Sequence, residues 1–179
     1  MERGTHKKTV LALDPSLTAF GWAVLQGATV LDAGCVKTET SGKKSRIRKT
    51  DDRMRRVSEI NAVLCEKIRM YDVAYIVSEL PHGSQSAVAA IAIGLVAGQV
   101  QGIADALEIG IEWFSEGDSK NHLLGKRSAS KGETIAAVDK VYGVPWAKAN
   151  YINEAIADSI SIYHVARHMS PTIKFLTTC

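Results

Sequence analysis

The sequence predicts an α/β protein, a five-stranded mixed sheet flanked by helices, on two grounds: three strand-like runs open the chain, and helical and strand-like patterns alternate after them. The first run is Thr9 to Asp14, followed by a turn at Pro15 and Ser16. Gly21 to Leu25 and Thr29 to Val36 follow, punctuated by Gly27 and Gly34, so the opening reads as a meander with a short hairpin. Met54, Val57, Ile60, Val63, Leu64, Ile68 and Met70 recur at helical spacing and predict a helix over roughly Asp51 to Met70. Strand chemistry returns at Val73 to Val77. Ser84 is placed to cap a long Ala- and Gly-rich helix reaching about Leu107, and Ile109 to Phe114 reads as the last strand. Two helices are expected beyond it, about Lys131 to Tyr142, ended by Gly143 and Pro145, and about Ala147 to His168, ending before Pro171.

At 179 residues and 46% hydrophobic content the chain suits one domain, 1–179, with a substantial core. Three widely spaced cysteines, Cys35, Cys65 and Cys179, without a CxxC pair, point away from zinc and from a disulfide framework and toward a reducing, intracellular setting. Met1 to Lys8 is charged and has no apolar core or cleavage site of a signal peptide. The apolar run Ala87 to Ala97 is shorter than a bilayer crossing before Gln99 and Gln101 interrupt it, which predicts a buried helix and no membrane.

Net charge is only +3, but the segment Lys43, Lys44, Arg46, Arg48, Lys49, Arg53, Arg55 and Arg56 is opposed locally by Asp51 and Asp52 alone. Such an arm is either a solvated face or a contact for phosphates that reads no sequence, together with Lys126 and Arg127.

The acids carry the chemistry. Asp14 and Glu79 each end an apolar strand just before a proline-containing turn, so both are expected at one edge of the sheet, where open α/β sheets bind ligands. Glu154 and Asp158, four residues apart, share a helical face whose neighbours Ile152, Ile156, Ile160 and Tyr163 are expected to pack on the sheet. Singly, any of these acids is an ordinary solvated side chain or cap. Together, hard oxygen ligands of this kind suit magnesium or manganese, and two ions would match the clamp used for in-line attack on phosphodiesters.

At these residues a resemblance enters. Leu11 to Leu25, LALDPSLTAFGWAVL, resembles the first motif of the RuvC-like Holliday junction resolvases, in which an aspartate ends the first strand and a glycine follows seven positions later, here Asp14 and Gly21. GCVKT, Gly34 to Thr38, is similar to that family's third strand, Glu79 falls at its second acidic position, and Lys120 and Lys131 fall where it carries lysines near the scissile phosphate. The likeness runs from Thr9 to Ala166.

It implies a ribonuclease H-like fold, magnesium-dependent cutting of branched DNA, and a homodimer formed on the Ala-rich helix, where Ile91, Leu95 and Gly98 permit close approach. Asp14 would then lie between two magnesium ions, with manganese as a substitute, flanked by Glu79 and by Glu154 and Asp158. Lys131 would orient water or neutralise charge, and Lys120 would touch phosphate or serve only as a solvated lysine. Two departures stand out. Bacterial members separate the last two acids by three residues, while the spacing of four is closer to mitochondrial and viral members. After Glu79 those enzymes place an aromatic side chain, where this chain has His82, which would stack on a base or cap the next helix. The implied setting is the cytoplasm, that of the host for a viral member.

Three rival readings remain: a broader ribonuclease H-like nuclease on branched DNA or RNA-containing duplexes, a junction-binding protein that does not cut, and half of an actin-like ATPase or sugar kinase. The last needs a longer chain and a second phosphate loop.

Overall fold

The computed structural model describes residues 7–42, 45–80 and 86–178. Among them the strands are β1 (Thr9–Asp14), β2 (Ala19–Gln26), β3 (Thr29–Lys37), β4 (Val73–Glu79) and β5 (Gly110–Phe114). They form one sheet in the order β3-β2-β1-β4-β5, with β1, β2 and β3 antiparallel and β1, β4 and β5 parallel. The expected five-stranded mixed sheet is therefore present. The helices are α1 (Lys49–Met70), α2 (Ala87–Ala106), α3 (Glu116–Leu124), α4 (Lys131–Tyr142), α5 (Asn150–Met169) and α6 (Pro171–Thr178).

Alternation along the strands divides the core. Leu11 and Leu13 of β1 face α1 and α2, joining Val57, Ile60, Leu64, Val96 and Val100. Val10 and Ala12 face the other way, against Ile156, Ile160 and Tyr163 of α5, with Val138 of α4 and Ile173 of α6 closing that layer. The predicted packing face of α5 is thus the observed one. Tyr163 also donates its hydroxyl to the Gly27 carbonyl at 2.6 Å, tying α5 to the β2–β3 hairpin, where Gly27 takes φ +61° in a two-residue turn.

Two helices escaped the sequence reading. α3 has nine residues and little apolar periodicity; its ends are fixed by the Ser115 side chain, which accepts from the Asp118 N–H, and by Gly125 at φ +71°. α6 begins on Pro171, which was read only as a stop. Proline ends α5 because it has no N–H to offer, and its fixed φ suits the first position of the next helix, where the Ser170 hydroxyl accepts from the Ile173 N–H.

Three further expectations need correction. The long helix starts at Ala87 with Ser86, not Ser84, as its cap, while Ser84 itself lies outside the described residues. That helix is also not buried: only Val96, Val100 and Ala104 are, and Val88 and Ile91 are 62% and 52% exposed. That buried stripe meets α1 and β5, with Ala92, Leu95 and Ile103 partly buried beside it, while Val88 and Ile91 stay outside the core. At 20 residues the helix is long and apolar enough to cross a membrane by length and composition alone.

The third correction concerns the basic arm. Arg56 is buried and donates to Thr38 Oγ1 (2.7 Å), the Leu17 carbonyl and Thr18 Oγ1 (both 3.1 Å), pinning the β1–β2 turn to the end of β3. Arg55 is held by Asp52, Glu59 and the Glu39 carbonyl. The buried Arg56 guanidinium is not available to phosphate, and that of Arg55 is already paired with carboxylates. Arg56→Met strands the acceptors it satisfied, and each buried group left unpaired costs on the order of 1–3 kcal/mol. The variant is expected to melt about 5–10 °C lower, checked by a thermal melt.

Candidate active site

Asp14 ends β1 and Glu79 ends β4. Because β1 and β4 run parallel with Leu13 beside Ser78, the two acids follow as neighbours at the same end of the sheet. Asp14 has the parity of Val10 and Ala12, and Glu79 that of Val77, so both project toward the α5 face. β5 continues the pattern: its last residue, Phe114, pairs with Glu79, and two residues later Glu116 opens α3.

α5 covers this edge through an unusually close approach. Gly21 pairs with Asp14 across β1 and β2, and a Cβ built on it would stand 2.2 Å from the Ala155 carbonyl oxygen. The missing side chain lets α5 rest directly on β2 at the level of Asp14. Asp158, three residues beyond Ala155, is consequently buried over the acidic strand ends.

The electrostatics confirm the grouping. Burial, then the field of Asp158, push the Asp14 carboxyl up to about 7 against the opposing pull of Lys131, with Glu116 adding to the rise. Glu79 is pushed up to about 8 by burial and by Asp14, Glu116 and Asp158, with Lys120 opposing. Lys131 donates to Asp158 Oδ2 at 2.6 Å. Burial works to lower its pKa, but the hydrogen bond and field of Asp158 outweigh that and hold the group above the usual lysine value, as an ammonium. Lys120 pairs with Glu116 one turn away on α3.

The structure therefore brings together Asp14, Glu79, Asp158, Lys131 and Lys120 from the sequence reading and adds Glu116. Glu154 enters through its field on Lys131, one turn before Asp158. Glu116 was missed because the sequence reading looked for acids at the ends of β1 and β4. The signal was the repetition of that pattern at β5, an acid just past the end of a third parallel strand. Hard carboxylate oxygens gathered around two ammonium groups are a suitable donor set for a magnesium-like cation. Among the described residues, no three His, Cys, Asp or Glu side chains already converge tightly enough to close around one ion.

The expected DNA contacts divide. Arg46, Lys49 and Arg127 are exposed, and Arg48 is exposed beside Asp51 at 2.7 Å. Lys126 is instead engaged by Glu133, whose carboxylate also completes the capping box of α4 with Ser130; the lysine braces the turn that presents Lys131. Lys43, Lys44 and His82 lie outside the described residues.

No family model and no curated protein sequence matches the chain. Solved structures do. Thermus thermophilus RuvC in complex with Holliday junction substrate is similar over 90% of this chain and 96% of its own, at 22% identity and a TM-score of 0.70. The T. thermophilus RuvC structure matches over 89% and 96%, at 22% identity and a TM-score of 0.67. The yeast mitochondrial Holliday junction resolvase Ydc2 matches over 98% of this chain and 87% of its own, at 10% identity and a TM-score of 0.63. The chain has the ribonuclease H-like fold of these resolvase structures: a five-stranded mixed sheet in the order 3-2-1-4-5 between helical layers.

Proposed function

We propose that the chain is a magnesium-dependent endonuclease that makes paired cuts in four-way DNA junctions. The observation that carries this reading is the meeting of Asp14, Glu79 and Asp158 at one sheet edge with Lys131 bonded to Asp158. Asp14, Glu79 and Asp158 would hold magnesium, or manganese as a substitute, which would supply an activated water for attack on the phosphodiester and neutralise charge that builds on the phosphate.

The protein's own groups do the rest. Asp14 and Glu79, held close together and out of water, are costly as a pair of anions and favourable as cation ligands. Asp158 has two tasks, ligand and anchor of Lys131, with Glu154 and Glu116 completing the negative field. Lys131, kept as an ammonium, does not take up a proton at neutral pH; it neutralises developing charge at the scissile phosphate. Lys131→Met is expected to lower the cleavage rate about a hundredfold with cation affinity changed only a few-fold, measured by single-turnover nicking and by calorimetry.

Arg46, Arg48, Lys49 and Arg127 are exposed cations suited to holding the arms of branched DNA by their phosphates. The uncovered apolar side of α2 supports pairing of two copies, which would set two such sites against the two-fold symmetry of a four-way junction. A substrate panel of four-way junction, flap and RNA-containing duplex tests the specificity. Symmetric nicks confined to the junction support a resolvase, equal cutting of every branched form replaces it with a general structure-selective nuclease, and binding without cutting removes the enzyme.

A further inference from the structure

A cavity of about 650 Å³ opens between the β1–β2 turn, the loop after β3 and the first turns of α1 and α2. It lies at the same end of the sheet as the acids but on its other face, since Leu17, three residues past Asp14, packs with the α1 and α2 side of the core. The volume falls within the range of small-molecule sites. One wall is aliphatic, formed by Leu17, Ile47, Val88 and Ala92, and among the described residues no aromatic ring lines it.

The polar rim carries available positive charge. Lys49 and Arg53 line the opening and make no ion pair with any described residue. Arg56 and Asp52 also border it, but the guanidinium is engaged by Thr38, Leu17 and Thr18, and the carboxylate by Ser41 and Arg55. The N-terminal turns of two long helices meet here as well, adding backbone N–H groups and partial positive charge to the same rim. Cations at the mouth and an apolar wall within match the two halves of a nucleotide.

We propose that this cavity is a subsite for one nucleotide lifted out of its stack at the branch of the bound DNA, its phosphate on Lys49 and Arg53 and its base on the Leu17–Ala92 wall. The inference rests on the branched-DNA reading above and adds to it a place, separate from the acids, for a base drawn out of its pair and stack at the crossover. An aliphatic wall does not quench a fluorescent base, which makes the occupant visible.

The test binds the full chain, in EDTA, to a four-way junction carrying 2-aminopurine at successive positions around the branch, with affinity followed by anisotropy of an end label. One position is expected to brighten about threefold or more, as an unstacked base does. Ala92→Phe, which fills the cavity, and Arg53→Glu, which reverses the rim, are each expected to return it to the duplex level, with affinity changed by less than about tenfold. A bound junction in which every position stays dark, or a bright probe that both variants leave unchanged, overturns the subsite and leaves the junction reading standing. Absence of junction binding by the unaltered chain overturns both.

Discussion

Asp14→Asn is expected to lower cation-dependent cleavage by about a thousandfold or more, the size of losing several kcal/mol of transition-state stabilisation. Junction affinity in EDTA should stay within a few-fold, because the phosphate contacts lie elsewhere. The same variant has an opposite effect on stability. Asp14 and Glu79 titrate near 7 and 8 in the folded protein, above the ordinary carboxyl value near 4 of an unfolded chain. Between those limits the folded state holds more protons than the unfolded one. Their contribution is therefore fully present below about pH 4 and is lost as pH rises through 7 to 8. The cation-free wild type should melt at progressively lower temperature across that window, and Asp14→Asn, which carries no charge there, should fall less. Melts in EDTA at pH 5 and pH 8 measure the difference. Equal slopes would mean that Asp14 is not buried among these acids.

Gly21→Ala is expected to have a large but smaller effect on activity without touching a reacting group. The added Cβ would meet the Ala155 carbonyl oxygen at 2.2 Å, a backbone atom with no rotamer to yield, so α5 must move off β2. Asp158 moves with it and carries Lys131 along. A displacement of about one ångström in an active site costs about a hundredfold in rate, and overpacking costs about 1–3 kcal/mol of stability. Gly34→Ala is the control: its Cβ would press on the Trp22 ring at 2.7 Å, on the other side of the sheet from the acids. That variant should lose stability and retain its cleavage rate. Melting and nicking rates measured on both proteins check this, and equal rates in the two would contradict the role given to the α5 contact.

Much of this site was legible because strand ends are legible. Apolar runs closed by an acid and a proline turn mark Asp14 and Glu79, and the spacing of isoleucines on α5 fixes the side from which Asp158 approaches. Glu116 was not, because its place depends on β5 lying parallel to β4 with Phe114 beside Glu79, a register that no local pattern encodes. Charge counting also failed selectively. It found a basic arm, but whether a guanidinium turns outward or satisfies buried oxygens depends on what stands opposite, and Arg56 stands opposite Thr38 and Leu17. The apolar composition of α2 predicts burial wrongly, because composition records how apolar a helix is and not how much of it the rest of the chain covers. Cys35 gave no signal at all, yet burial, with Asp14 adding, pushes its thiol up to about 11, so it stays protonated beside the acids.

The central claim is that these buried acids are a cation centre, and calorimetric titration of magnesium or manganese into the wild-type chain at pH 7, in two buffers of different ionisation enthalpy, tests it most directly. Burial and repulsion from neighbouring carboxylates hold both Asp14 and Glu79 well above the usual carboxyl range, so binding at that pH must expel protons. Saturable binding with net release of protons, reduced in Asp14→Asn, is expected. Heats that are the same in both buffers, or no saturable binding, would contradict it.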